Sequence, residues 1–426
     1  MSFELKIEAL AFGGRGIGRH QGKAVFVPLT APGDLVRCRS VREHKRFSEG
    51  QLLEVLEPAA ERVEPRCTLF GECGGCQWQH LDAASQTSWK GRLHGEQLQR
   101  GAGVDVDKLA ETLAADPAWG YRSRAQFKCF QSRDGFVLGF YRSGTHFVVD
   151  LEHCPVCHPS INALLPALKQ TLAESVEPRR IPQVDVAVGD DGRLRVVVHY
   201  IGTQRDALTA ELRHFATQHG VSLLLQSGRK TTLELLQGEA LLDIEPLPGL
   251  PLAYAAGGFA QVHLEQNRAL VQLACEAFGS QPGRVLDLFC GMGNFTLPLA
   301  RQADALVGLE GYRPSIEQAR LNARRHGIEN VAFQVADCEA GFEALWQEGR
   351  FDAVLLDPPR SGAQATCKTL ARLKPARIVY VSCDSSTLAR DLKVLLGHGY
   401  RLVRSTPVDM FPHTAHIESV TVLALS

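Results

Sequence analysis

Residues 284–296 read Arg284-Val285-Leu286-Asp287-Leu288-Phe289-Cys290-Gly291-Met292-Gly293-Asn294-Phe295-Thr296, and this stretch decides the fold. An apolar run of strand character stops at two glycines and then opens a helix. Glycine carries no Cβ, so the backbone at Gly291 and Gly293 can pass close to a ligand. The tip of the first strand in a doubly wound sheet is where nucleotide-like cofactors sit. The glycine pair alone is a weak signal, because Thr296 stands where a dinucleotide fingerprint wants a third small residue. The next strand strengthens it. Ala305-Leu306-Val307-Gly308-Leu309-Glu310 closes on a carboxylate 23 residues after Asp287, placed to accept both ribose hydroxyls. An NAD-binding domain is the plain alternative on these residues.

Downstream, the pattern predicts a helix over 314–326, a strand Val331–Val335 leading to Asp337, and a strand from Phe351 that ends in Asp357-Pro358-Pro359-Arg360. The next strand, Arg377-Ile378-Val379-Tyr380-Val381-Ser382-Cys383-Asp384, delivers a cysteine to the same sheet edge. A thiol there suits one reaction. Carbon 5 of a pyrimidine is too weak a nucleophile to take a methyl group unaided, and thiolate addition at carbon 6 turns the ring into an enolate. A base must then remove the carbon 5 proton before the thiolate can leave. Glu418, at the head of the apolar strand Val420–Leu425, is the candidate base, with His413 and His416 as alternatives. An inert buried thiol at 383 and a solvated carboxylate at 418 are the competing readings. Upstream, Gln261 lies in a glycine-containing loop, and its amide can hold a methionine carboxylate or a base edge.

The chain has 426 residues, 45% hydrophobic and 22% charged, with a net charge of −1. That is room for two or three globular domains, and it excludes a uniformly basic RNA-coating protein. No run of 18 apolar residues suggests a membrane span, and Met1–Lys6 has no signal-peptide core. Residues 3–56 read as an OB-like barrel of short strands broken by turn signals. Between 15 and 46 eight Lys or Arg face two acids, suited to phosphate contacts, and Phe12, Phe26 and Phe47 interleave with them. A solvated basic face on an unrelated barrel is the plainer account.

Cys67, Cys73 and Cys76 have C-x5-C-x2-C spacing, and Cys154 precedes Pro155. Twelve cysteines in a chain without a secretion signal argue for thiols, metal ligands or catalysis. Three close thiolates and a remote Cys-Pro are familiar from iron–sulfur proteins. Zinc is the rival, and Cys157 competes for the fourth place. A helix spans Asp82–Arg100 with Gln86 and Lys90 on one face, followed by a polar connector to about Ala118. Arg122, Arg124 and Lys128 alternate along a strand and would share one face, open to RNA backbone or to solvent. Residues 160–245 alternate helix and strand and carry no evident chemistry.

The strand, glycine turn, helix, strand and Glu310 together resemble the class I S-adenosylmethionine-dependent methyltransferases over roughly the last 170 residues. The barrel resembles a TRAM domain, an RNA-binding module. The full set of Gln261, the Asp287–Asn294 turn, Glu310, Asp357-Pro358-Pro359-Arg360, Ser382-Cys383-Asp384 and His416-Ile417-Glu418-Ser419 resembles the bacterial uracil-5 methyltransferases that act on RNA. With the barrel and the cysteines, it resembles their 23S ribosomal RNA branch. The resemblance implies Cys383 as nucleophile and Glu418 as base. Gln261, Phe289, Asn294, Glu310, Asp337 and Asp357 would line the S-adenosylmethionine and target-base sites, and Cys67, Cys73, Cys76 and Cys154 would hold a [4Fe-4S] cluster. Asp384 and Asp337 depart from the asparagines common in relatives.

The expected fold is α/β. It comprises a TRAM-like OB barrel over 1–57, a β-rich α+β central domain with the cysteine site over 58–250, and a Rossmann-like methyltransferase domain over 251–426. Residues 82–118 are expected to pack on the last of these. The implied protein is a cytoplasmic monomer that binds 23S ribosomal RNA and no membrane. Rival functions are cytosine-5 methylation, which wants a second cysteine after the fourth strand, a transfer RNA target, radical chemistry, which wants C-x3-C-x2-C, and a non-catalytic RNA-binding assembly factor.

Overall fold

The computed structural model describes residues 2–228, 232–340 and 342–426. Met1, the first residue of the segment read for a signal peptide, lies outside those ranges, as do residues 229–231 and 341. Strands β1 (Ser2–Leu10), β2 (Gly16–His20), β3 (Lys23–Val27), β4 (Leu35–Glu43) and β5 (Phe47–Glu57) close into a barrel in the order β1-β2-β3-β5-β4. Alternation along the strands sends Leu5, Ile7, Val25, Val27, Val36 and Cys38 inward. Much of the expected basic face is paired internally: Lys23 with Glu43, Arg37 with Glu54 at 2.5 Å, and Arg39 with Gln51. Arg19, Arg42, Lys45 and Arg46 have no ion pair among the described residues. Phe26 and Phe47 meet edge to face, with centroids 5.5 Å apart, which leaves Phe12 as the more exposed ring.

Helix α1 (Ala83–Ala102) starts where the Asp82 carboxylate accepts from the Ser85 amide at 2.8 Å and stops at left-handed Gly103. It ends well short of residue 118.

The central sheet follows. Its elements are β6 (Arg124–Gln131), β7 (Phe136–Tyr141), β8 (Val148–Asp150), α2 (Pro159–Glu174), β9 (Gln183–Val188), β10 (Leu194–Tyr200), α3 (Arg205–His219), β11 (Ser222–Ser227) and β12 (Leu233–Gln237). The seven strands lie in the order β12-β11-β10-β9-β6-β7-β8, antiparallel except for β10 with β11. Leu164, Leu168, Leu212 and Phe215 of α2 and α3 bury one face against Val184, Val196, Val198 and Leu223. The opposite face carries Arg124, Gln126, Gln183, Asp185 and His199 around a cavity of about 330 Å³. Arg122 does not share it. The strand begins at Arg124, and Arg122 instead bridges to Cys157 and His263.

Hairpin β13 (Leu241–Ile244) and β14 (Leu252–Ala255) straddles the expected boundary at 250. Leu250 and Leu252 pack with Ile316 and Leu297 of the last sheet's helices. The catalytic unit then runs α4 (Leu264–Phe278), β15 (Arg284–Leu288), α5 (Thr296–Leu299), β16 (Ala305–Glu310), α6 (Arg313–Arg325), β17 (Val331–Val335), α7 (Glu343–Glu348), β18 (Ala353–Leu356), α8 (Gln364–Leu373), β19 (Arg377–Ser382), α9 (Ser385–Leu396), β20 (Tyr400–Val408) and β21 (Glu418–Leu425).

The strand order is β17-β16-β15-β18-β19-β21-β20, the first five parallel and the last two antiparallel. Successive residues serve opposite faces. Leu286, Leu288, Val354, Leu356 and Ile378 pack against α1, α8 and α9, whereas Val285, Ala353, Leu355 and Val379 pack against α4. Parallel strands covered on both sides read as continuous apolar runs, which is why their sequence signal is strong.

Candidate active site

The carboxyl ends of the parallel strands β15, β16, β18 and β19 form one edge, where Glu310 ends β16 and Asp357 and Cys383 follow β18 and β19. Asp287 is buried within β15. Its Oδ2 accepts from Thr296 Oγ1 at 2.5 Å, and its Oδ1 has no partner among the described residues. Burial, reinforced by the charges of Asp357 and Glu310, raises Asp287 to about 8. Asp357 rises to about 7 through desolvation and the Glu310 charge. Glu310 ends β16, and its Oε1 accepts from the Tyr312 amide at 2.8 Å. Acidic groups collected at low dielectric suit a cation more than an anion.

The turn after β15 is strained. Phe289 adopts φ +67°, a left-handed conformation that costs a non-glycine residue about 1–3 kcal/mol unless its surroundings hold it. Cys338, just after Asp337, accepts from the Phe289 amide at 3.3 Å and lies 3.4 Å from the Leu309 carbonyl oxygen. Sequence reasoning gave Cys338 no role, since an isolated cysteine in a polar stretch carries no pattern. Asn294 exchanges two 2.9 Å amide hydrogen bonds with Asn267 of α4, which anchors the glycine turn. Gln261 is buried ahead of α4. Asp337 is exposed, and its carboxylate accepts from the Glu339 amide at 2.8 Å.

Ser382 of β19 pairs with Ser419 of β21. Continuing that antiparallel register by one step sets Cys383 beside Glu418. Burial raises the Cys383 thiol to about 12, with the Glu418 and Asp357 charges adding to the rise and Arg360 opposing it. Glu418 is 5% exposed. It is held well above the ordinary carboxylate range by burial and by Asp357, again opposed by Arg360. Asp384 caps α9, its Oδ1 accepting from the Ser386 and Thr387 amides at 2.9 and 3.0 Å. An asparagine there would cap the helix equally well.

Of the two alternative bases, His413 is turned away from this edge, while His416 stays near Arg360 and Asp384. His413 is buried, and both its ring nitrogens are engaged, by Gln86 and by the Ala118 carbonyl. His416 is exposed and meets Phe411 edge-on.

Cys67, Cys73, Cys76 and Cys154 line one cavity of about 140 Å³ with Phe70, Phe140 and Arg122. The Gly75 amide donates to Cys73 Sγ at 3.4 Å, and the backbone amides of Leu69 and Phe70 favour the Cys67 thiolate as those of Val156 and Cys157 favour that of Cys154. Cys157 lies behind this shell, fully buried and unoxidised; a hydrogen bond from its thiol is the main cause that lowers Cys154 to about 6. Among the described residues, no three acidic, histidine or cysteine side chains gather tightly enough for a single metal ion. Four thiols lining one small, mostly apolar chamber, with the Gly75 amide on Cys73 and Arg122 alongside, are donors of the kind an iron–sulfur cluster takes.

Comparison with known proteins is decisive. The tRNA (Uracil-5-)-methyltransferase family model matches residues 104–425, and the TRAM domain model matches residues 2–53. The chain belongs to this uracil-5 methyltransferase family. Similar relatives include two proteins named 23S rRNA (uracil(1939)-C(5))-methyltransferase RlmD. The one from Alkalilimnicola ehrlichii is 41% identical, covering 99% of this chain and 96% of the relative; the one from Nitrosococcus oceani is 40% identical, covering 97% and 94%. The Pyrococcus abyssi tRNA (uracil-54, C5)-methyltransferase, solved with S-adenosyl-L-homocysteine, superposes with a TM-score of 0.78 at 25% identity, covering 99% of this chain and 100% of that one. This methyltransferase therefore has the family's S-adenosylmethionine-binding sheet and an N-terminal TRAM barrel.

Proposed function

We propose that this methyltransferase methylates carbon 5 of one uridine in 23S ribosomal RNA, at the position called 1939 in its relatives' names, with Cys383 as nucleophile and Glu418 as base. The pairing of β19 with β21, which sets that thiol against that carboxyl beside Asp357, is the observation that carries the reading. S-adenosylmethionine supplies an electrophilic methyl group on a positively charged sulfur. Glu310, Asp357 and Gln261 would bind and orient it, with Phe289 and Asn294 shaping the glycine turn and Asp337 at the rim. Burial, with the Glu418 and Asp357 charges, holds Cys383 protonated and Arg360 opposes them; the thiol must give its proton to solvent before it attacks, and a bound cation beside these carboxylates would favour that loss.

The Cys383 thiolate then adds to carbon 6, and the ring electrons move to make carbon 5 nucleophilic. Carbon 5 takes the methyl group and leaves the neutral thioether. Glu418 accepts the carbon 5 proton, the ring double bond re-forms, and the Cys383–carbon 6 bond breaks. A folded-RNA target has to leave its stack to reach this edge. The barrel's unpaired basic residues and the polar face of the central sheet would grip the surrounding RNA backbone.

Cys67, Cys73, Cys76 and Cys154 would hold a [4Fe-4S] cluster that fixes the loops around it; methyl transfer requires no electron. Iron and acid-labile sulfide should copurify with anaerobically isolated protein and be absent from Cys76→Ser. For the main reading, cells lacking this gene should lose 5-methyluridine at one 23S position. The wild-type gene should restore it, and Cys383→Ala should not, although the variant still binds S-adenosylmethionine. A transfer RNA target is the second reading, favoured by the likeness to the archaeal enzyme. Loss of the mark from transfer RNA, with ribosomal RNA unchanged, would select it.

A further inference from the structure

The segment that leads into Glu418 is held from outside the catalytic sheet. His413, five residues before Glu418, adopts φ +67°, and each of its polar atoms is engaged. Its amide donates to Gln86 Oε1 at 2.7 Å, and its carbonyl accepts from the Gln77 and Trp78 amides at 2.9 and 3.0 Å. Nδ1 accepts from Gln86 Nε2 at 3.2 Å, Nε2 donates to the Ala118 carbonyl at 3.0 Å, and the ring stacks 3.6 Å from that of Trp119. Burial keeps the ring neutral by lowering its pKa to about 4. A non-glycine residue in the left-handed region persists only when its surroundings over-determine it, and such strain concentrates at functional sites.

The same partners grip the neighbouring residues. Lys90 of α1, fully buried, pairs with Asp409 at 2.5 Å and donates to the Phe411 carbonyl at 2.9 Å. Tyr121 donates to the Pro412 carbonyl at 3.1 Å. Trp78 Nε1 donates to the Gly14 carbonyl of the barrel at 2.9 Å, and a Cβ at Gly14 would stand 2.7 Å from that of Ala415. Ile417 packs with Trp78, Trp89 and Leu93. Gln86 is the hub, since its Nε2 also reaches the Trp78 and Leu81 carbonyls at 3.1 and 2.8 Å. Residues 77 and 78 follow Cys76 directly, so the strap is continuous with the cysteine loop.

We propose that Gln86 and the Gln77–Trp78 backbone are positioning elements for Glu418, acting through His413, and that they govern proton removal and enzyme release, not methyl transfer. This rests on Glu418 being the base. The geometry supports a stepwise effect because the bonds made by Gln86 and by the Gln77 and Trp78 amides end on His413, in the segment that leads into Glu418, whereas α1 meets the Cys383 side about two turns further along, through His94 and Ser385.

The test separates the two steps. Wild type, Gln86→Leu, His413→Gly and Glu418→Gln are mixed with a labelled RNA fragment and S-adenosylmethionine. Single-turnover methyl transfer and the fraction of enzyme in a denaturation-resistant RNA adduct are then followed. Gln86→Leu should methylate at the wild-type rate yet release product roughly tenfold to hundredfold more slowly, the scale of effect expected from a small misplacement of a reacting group. His413→Gly keeps the left-handed backbone without strain and loses the ring's bonds. It should shift the same way, and it decides the matter if Gln86→Leu does not fold. Proportionate slowing of both steps, or no change in adduct, in folded variants would overturn the proposal. If Glu418→Gln itself turned over normally, the base assignment would fall and take this proposal with it. Trapping by Glu418→Gln alongside unaffected Gln86 and His413 variants would sink the strap alone.

Discussion

Two seven-stranded sheets lie side by side in this chain and do opposite work. The central one is almost wholly antiparallel, is covered by helices on one face, and leaves Arg124, Gln126 and Lys128 alternating along β6 with buried Ala125, Phe127 and Cys129. The last one is mainly parallel and covered on both faces, so its chemistry is confined to the strand ends. A half-covered sheet offers area, and a fully covered one offers an edge. The first suits contact with an extended polyanion, and the second suits the gathering of Cys383, Asp357 and Glu418 at one place.

Substitutions should divide along the same line. Replacing Arg124 and Lys128 together by Ala should weaken RNA binding and lower the slope of log affinity against log salt by about 1 to 2, with S-adenosylmethionine affinity unchanged. Filter binding across a salt series measures this. An unchanged slope would mean that the open face does not meet RNA.

At the edge of the other sheet, the smaller effect to look for is electrostatic. The folded-state pKa of Asp357 is raised to about 7, so between the ordinary carboxylate pKa and that value the folded state binds more protons than the unfolded one. Stability is therefore lost as pH rises through this window. Without cofactor, Asp357→Asn should melt close to wild type near pH 4 and progressively above it as pH approaches 7. Parallel melting curves at all pH values would show that Asp357 is not desolvated.

The sequence was most legible where burial is two-sided. Strands Ala305–Glu310 and Val331–Val335 match their predicted limits, and Arg377–Ser382 ends just before Cys383. Strand Tyr400–Val408 escaped notice because Arg401, Arg404 and Pro407 interrupt its alternation, as an edge strand permits. Helices α8 and α9 give no comparably clear signal in the sequence. The identities of Cys383 and Glu418 could be read from motif chemistry, but their meeting depends on β21 inserting antiparallel between β19 and β20, a long-range pairing with no local signal. The spacing of Gln86 and Lys90 puts them on one helical face. That the face buries against residues 409–413 could not be read, since polar residues at i, i+4 ordinarily mark a solvated surface. His413, considered as a base, is instead fully bonded to its surroundings.

The most direct test of the central claim is mass spectrometry of Glu418→Gln enzyme digested after incubation with a 23S ribosomal RNA fragment and S-adenosylmethionine. The account predicts a peptide containing Cys383 bonded through sulfur to a nucleotide that already carries the transferred methyl group. Methylated RNA formed without any adduct, or an adduct on a different residue, would contradict it.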